Sequence, residues 1–361
     1  MALTTAAERL LHHAEISATT LYLTLGECHL GIRSNSEKLL SGLQRYFAHV
    51  VSSQPEQVDM EIIAIEQAPP DLGIGFIDWA REPGKTGRKD SYFDIPDGRM
   101  VRKVRTGMVF LQSETYRIAA GPCEQYDNQV INFINAQYMN WLQQRGWFIC
   151  HASGLVHHGQ GLGIAGLSGG GKSTLMLQLL DKAEVSYLTN DRLFAKKVDG
   201  QVQMAGIPKL PRVNPGTIVH NPKLHALLPE QRRQELLALP PQQLWELEEK
   251  YDVLVDDVYG HERILQQAPL NAFLVLNWQR NSSEPLNIAQ ADLAQRPELL
   301  AAIMKSPGPF YQMVDGSFWQ DTMAFDEAGY LDVLKDVTVY EVSGGLDFAL
   351  LQQWVINELL K

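Results

Sequence analysis

Apolar residues alternate with small or polar ones from 20 to 32, in "TLYLTLGECHLGI", and again from 58 to 67, in "VDMEIIAIEQ". Both stretches predict strands with one buried face. Between them, residues 36–50 open on Ser36 and predict a capped helix. The Gly- and Pro-rich run "APPDLGIGFIDWAREPGKTGRKD" predicts a loop, and strand patterns return at 92–95, 98–105 and 108–119. This first part is expected to be a smaller α+β domain, residues 1–125, with a boundary near Pro122 to Asp127.

A helical pattern follows at 128–145, "NQVINFINAQYMNWLQQR", with apolar residues largely on one side and Gly146 as its C-cap. Two strand-like runs come next, "WFICHASGLVHH" and "GLGIAGL", then a helix at 172–182, then "VSYLTNDRLFAKK" as a strand ending in acidic and polar residues. Residues 230–250 read as a helix interrupted at Pro240 and Pro241. "NAFLVLNW" reads as a buried strand, "VTVYEV" as the last strand, and a C-terminal helix runs to about Leu360. Alternation of strands and helices predicts an α/β second domain over residues 126–361.

The turn between the second strand run and its helix changes the picture from architecture to chemistry. "GLSGGGKSTL", Gly166 to Leu175, fits G-x-x-x-x-G-K-[ST]. Gly166, Ser168, Gly169, Gly170 and Gly171 let backbone N–H groups converge on phosphate oxygens, and the helix N-terminus adds its dipole. Lys172 is expected to reach the β- and γ-phosphates, Ser173 to ligate Mg²⁺, and Thr174 to support it; ATP and Mg²⁺ are the implied cofactors. "LSGGG" with "STL" also occurs in transporter-type ATPases, but no second "LSGG" follows, and "DVLVDDV" offers only a short apolar run before Asp256 and Asp257.

Composition narrows the partners. The chain has 361 residues, 45% hydrophobic and 20% charged, enough for one large domain or two ordinary ones. A net charge of -11 disfavours nucleic acid and anionic membrane as partners. Three cysteines, Cys28, Cys123 and Cys150, show no C-x-x-C spacing and fit a reducing, cytoplasmic compartment. No apolar stretch is long enough to span a bilayer. Arg99, Arg102, Lys103 and Arg105 could dock an acidic partner; alternation on a strand favours a solvated face.

The layout resembles the HPr kinase/phosphorylase family through "HASGLVHHGQGLGIAGLSGGGKSTL" from His151 and "LTNDR" from Leu188. It is similar to the HPr kinase-related kinase B subgroup through "PKLPRVNPGTI", "LEEKYDV", "YGHERI" and "SPGPFYQ". The resemblance covers roughly residues 128–343. It implies a P-loop kinase domain of the HPr kinase type that transfers the γ-phosphoryl of Mg-ATP to a hydroxyl, a Ser or Thr of a partner protein, and it implies homo-oligomers. Lys172 and Ser173 match the family's phosphate and metal ligands, and His151 its histidine near the phosphates. Of the family's two aspartates, Asp191 matches the second, whereas Asn190 stands where the first serves as base. The glutamate-bearing signature of the reverse reaction is replaced by "GIPKLPRVNPG", so phosphorylase activity is not expected.

Asp191 is therefore expected to orient the acceptor or to hold Mg²⁺, with His151 and Arg192 near the transferring phosphoryl and Arg263 as a more distant cation. Each residue also fits a plain role: His151 a strand histidine, Asp191 a turn cap, Arg263 a surface ion pair, His157 and His158 a hairpin tip. Three function classes stay open: a protein kinase, a small-molecule kinase, and a nucleotide-binding regulatory protein with little transfer.

Overall fold

The computed structural model describes residues 1–80, 87–166, 170–247, 249–279 and 282–360. It is a mixed α/β protein with several sheets. The chain divides into two compact units, Met1–Gly146 with Ser306–Phe325, and Trp147–Lys305 with Asp326–Lys361. This differs from the boundary expected at 125/126. Pro122 to Asp127 is a turn inside the first unit, where Cys123 and Tyr126 donate to the carbonyls of Gly121 and Pro122. The helix Asp127–Gln144 that follows buries its side chains in that unit, Phe133 lying 5.0 Å from Phe110.

The first unit is a nine-stranded mixed sheet in the order Val51–Ser52, Leu21–Leu25, Cys28–Ser34, Met60–Glu66, Arg117–Gly121, Val109–Ser113, Gly98–Lys103, Asp90–Ile95, Ile77–Asp78. Leu21–Leu25 buries every second residue, Leu21, Leu23 and Leu25, whereas Val109–Ser113 is buried at every position. Ser36 caps the helix Glu37–Tyr46 by accepting from the N–H of Leu39 at 3.1 Å. A helix the pattern did not reveal, Leu3–Leu11, adds Ala6, Ala7 and Leu10 to a core with Met100, Leu111 and Ile118.

The basic strand is not the solvated face its alternation suggested. Arg102 and Arg105 are exposed, but Arg99 is fully buried and Lys103 pairs with Asp90 at 2.6 Å. The Arg99 guanidinium lies 4.6 Å from the Tyr92 ring centre and 4.7 Å from that of Phe318, and it grips Asp94 at 2.5 and 2.9 Å. It also donates to the carbonyls of Trp319 (2.8 Å) and Pro309 (3.2 Å). The returning segment 306–325 covers this face, which one-dimensional alternation cannot register.

The second unit holds a six-stranded sheet, Val185–Thr189, Ala152–His157, Gln160–Gly166, Ala272–Leu276, Thr338–Ser343, Asn287–Gln290, and a four-stranded sheet, Phe148–Cys150, Leu193–Val198, Gln201–Gly206, Gln267–Pro269. Gln160–Gly166, Ala272–Leu276 and Thr338–Ser343 run parallel, so their C-terminal ends lie side by side. Ala272–Leu276 is buried at every position, as expected of a central parallel strand. The proline interruption also appears, between helices Glu230–Leu237 and Pro241–Glu246. All three cysteines are buried and free, and no helix among the described residues is long and apolar enough to cross a membrane.

Candidate functional site

"VSYLTNDRLFAKK" is two strands rather than one, and so is "WFICHASGLVHH". The chain passes between the two sheets at His151 and again at Asn190–Asp191–Arg192. Cys150 pairs with Leu193 in one sheet and Gly154 with Thr189 in the other, so the two corners meet. A polar trio cannot stay in a buried ladder without partners, and the turn gives it some. The buried Ser153 hydroxyl donates to the Asn190 carbonyl at 2.5 Å, and that of Thr189 to the Arg192 carbonyl at 3.0 Å.

His151 Nε2 lies 3.1 Å from Asp191 Oδ1, and Arg192 donates to Asp191 Oδ2. Burial pushes the Asp191 carboxyl up, but Arg192, the His151 hydrogen bond and Lys305 outweigh it and hold the group well below the usual carboxylate range. Burial lowers His151; the bond to Asp191 opposes that, and the charges of Lys305 and Lys172 reinforce it. With Nε2–H donated to Asp191, Nδ1 is left as an acceptor.

Glycine is required at both ends of the turn. At Gly166 φ is 148°, and a Cβ would lie 2.8 Å from the Leu276 carbonyl oxygen. At Gly171 φ is 89°, and a Cβ would lie 2.4 Å from Cζ of Phe348. Ser168 and Gly169 lie outside the described residues. Gly170 accepts from the Trp278 indole at 2.9 Å.

The helix Lys172–Leu180 starts directly after Gly171. Lys172 is 8% exposed and its ammonium donates to the Gly166 carbonyl at 2.7 Å, folded back over the turn. The Ser173 hydroxyl donates to Asn190 Oδ1 at 2.8 Å, which ties the first turn of this helix to the corner at 190–192. Thr174 shares a 3.1 Å hydrogen bond with Thr217.

Arg263 is not part of this cluster. Its guanidinium donates to the carbonyls of Leu180 (2.8 Å), Lys182 (2.7 Å), Val185 (2.8 Å) and Tyr259 (3.1 Å). It caps the far end of the helix, about 12 Å from Lys172 at 1.5 Å rise per residue. Arg263, expected as a more distant cation, has these carbonyls as its partners. Asp256 and Asp257, the rejected alternative pair, lie in the first turn of the short helix Val255–Tyr259.

Sequence reasoning missed Ser153, Thr217, Trp278, Phe348 and Lys305. Thr217 sits in "NPGTI" and Trp278 just past "NAFLVL", both already conspicuous segments, but their meeting with the turn depends on parallel strand order and helix docking.

Among the described residues no group of three or more His, Cys, Asp or Glu side chains could cage a metal. A magnesium ion carried on a triphosphate needs only one or two protein oxygens. Ser173 Oγ and Asn190 Oδ1, 2.8 Å apart, match the separation of about 2.9 Å between neighbouring ligands of an octahedral magnesium. These two fit the ion. Asp191 accepts from His151 on Oδ1 and from Arg192 on Oδ2, so a metal ion there would share either oxygen with a donor.

No family model and no curated protein matches this chain. Among solved structures, the Hpr(Ser) kinase/phosphatase from Coxiella burnetii aligns over 59% of this chain and 90% of its own length, at 12% identity and a TM-score of 0.30. A likeness this low carries no functional argument; the residues themselves must.

Proposed function

We propose that the chain is a phosphotransferase that moves the γ-phosphoryl of Mg-ATP to a hydroxyl, that of a Ser or Thr on a partner protein. The observation that carries this reading is the 2.8 Å bond from Ser173 to Asn190, which joins the glycine turn and its lysine to the His151–Asp191–Arg192 corner. A phosphate site and a polar acceptor site so joined are what in-line transfer needs.

Main-chain N–H groups at Gly170 and Gly171 and the N-terminus of the helix hold phosphate oxygens. The Lys172 ammonium exchanges the Gly166 carbonyl for the β- and γ-phosphates. Magnesium, held by Ser173 with Asn190 beside it, would neutralise charge on the same oxygens. Arg192 faces the charge that develops on the γ-phosphoryl. The acceptor oxygen bonds to phosphorus as the bond to the β,γ-bridging oxygen breaks, ADP leaves, and the acceptor's proton passes to the His151–Asp191 pair. Asp191 is too acidic to be a strong base, so its part is to orient the hydroxyl and steady His151.

The same engagement of Asp191 favours a second reading, a nucleotide-binding regulatory protein in which transfer is slow. Incubating γ-labelled Mg-ATP and a cell extract with wild type, Lys172→Ala and Asp191→Asn separates the two. Lys172→Ala is expected to cut transferred label by about a hundredfold or more and Asp191→Asn by at least tenfold. Lys172-dependent label in the protein fraction supports the kinase, label in the small-molecule fraction moves the acceptor to a metabolite, and binding without label leaves the regulatory reading. Transfer within a few-fold of wild type in Asp191→Asn would remove Asp191 from its role.

A further inference from the structure

The first unit contains a cavity of about 470 Å³, a volume typical of small-molecule sites. Three amides line it from the helix Asp127–Gln144: Gln137, Asn140 and Gln144. Their spacing of three and then four residues puts them on one helical face, where a helix packing on a sheet ordinarily presents aliphatic side chains. Gln112 and Arg117, on neighbouring antiparallel strands, line the cavity with Glu114 between them and Arg145 just past the helix.

Most of the amide donors are used internally. Gln137 donates to Gln112 Oε1 at 2.7 Å, Asn140 to the Phe310 carbonyl at 2.8 Å and Gln144 to the Gln312 carbonyl at 2.9 Å. Two buried polar atoms on the lining have no hydrogen-bond partner among the described residues: Gln137 Oε1, on a side chain 0% exposed, and Arg117 Nε. A network made only for packing would be complete. This one leaves open a single neutral acceptor and one guanidinium N–H, on an arginine whose charge is felt by Glu114. Burial and the charge of Asp59 push the Cys28 thiol up while Arg145 and Arg117 draw it down, so both guanidinium groups act on the same thiol, and both line the cavity. Of the charged residues on the lining, Arg117 and Arg145 are cationic and Glu114 is anionic; Arg145 stacks on the Trp141 ring at 3.9 Å.

We propose that this cavity binds a small carboxylic acid bearing a hydroxyl or amino donor, its carboxylate between Arg117 and Arg145 and its donor on Gln137 Oε1. Buried charge is tolerated where a partner arrives to meet it, and an open acceptor beside an open cation specifies both halves of such a molecule. Inorganic phosphate shares the charge, but its P–OH sits on the same phosphorus as its anionic oxygens rather than on a separate carbon.

Thermal shift and calorimetry on the full chain test this with a panel of simple hydroxy and amino acids (malate, tartrate, citrate, glutamate, glutamine), with succinate as the donor-free control and inorganic phosphate as the competing anion. At least one panel member is expected to raise the melting temperature and to bind more tightly than succinate or phosphate. Arg117→Gln is expected to weaken that binding by about tenfold or more, and Glu114→Gln to tighten it severalfold. Opposite signs in the two variants cannot come from general loosening of the fold. Absence of binding across the panel, equal affinity in Arg117→Gln and wild type, or phosphate binding as tightly as any acid would overturn the proposal.

Discussion

Arg99 and Arg117 lie on the same sheet of the same unit, and both lose much of their water, yet they are opposite cases. Arg99 meets a carboxylate, two carbonyls and aromatic faces, and its charge is closed in by the fold. Arg117 keeps an unpartnered Nε on the wall of a cavity. The pair teaches that burial of a cation does not by itself mark a site: what matters is whether its donors are used up. Arg263 belongs with Arg99, since its donors end on carbonyls at the close of a helix.

That contrast can be broken by stability measurements. Arg99→Met is expected to cost the most, about 3 kcal/mol in denaturant unfolding, because it leaves Asp94 and two carbonyls without their donor. Arg263→Met should cost less, about 2 kcal/mol, read as a lower denaturant midpoint at unchanged slope. Nucleotide affinity should hold in that variant, as the residue sits at the wrong end of the helix. Arg117→Met should fall within about 0.5 kcal/mol of wild type, since the Nε it removes has no hydrogen-bond partner among the described residues. A loss at Arg117 as large as at Arg99 would mean that both are structural.

Local pattern made much of the frame legible. The helix Asp127–Gln144, the Ser36 cap and the buried strand Ala272–Leu276 could be read from period, capping residue and apolar run. Gly166 and Gly171 stood out in the sequence by their spacing, and at both a positive φ and a close neighbour leave no place for a Cβ. The corner at 190–192 was read through because apolar strands continue on both sides of it, and periodicity does not record a change of sheet. Arg99 and the amide-lined cavity were hidden for a related reason: segment 306–325 closes one and helps line the other from far along the chain.

The double passage of the chain through the first unit governs how the protein can be dissected. A cut after Gly146 does not release a finished domain, because the severed piece loses the Pro309 and Trp319 carbonyls from Arg99, the Phe310 carbonyl from Asn140 and the Phe310 ring from Phe110 and Phe133. The compact unit is made of 1–146 together with 306–325, and a deletion series stepping in from either terminus would never isolate that pair of segments.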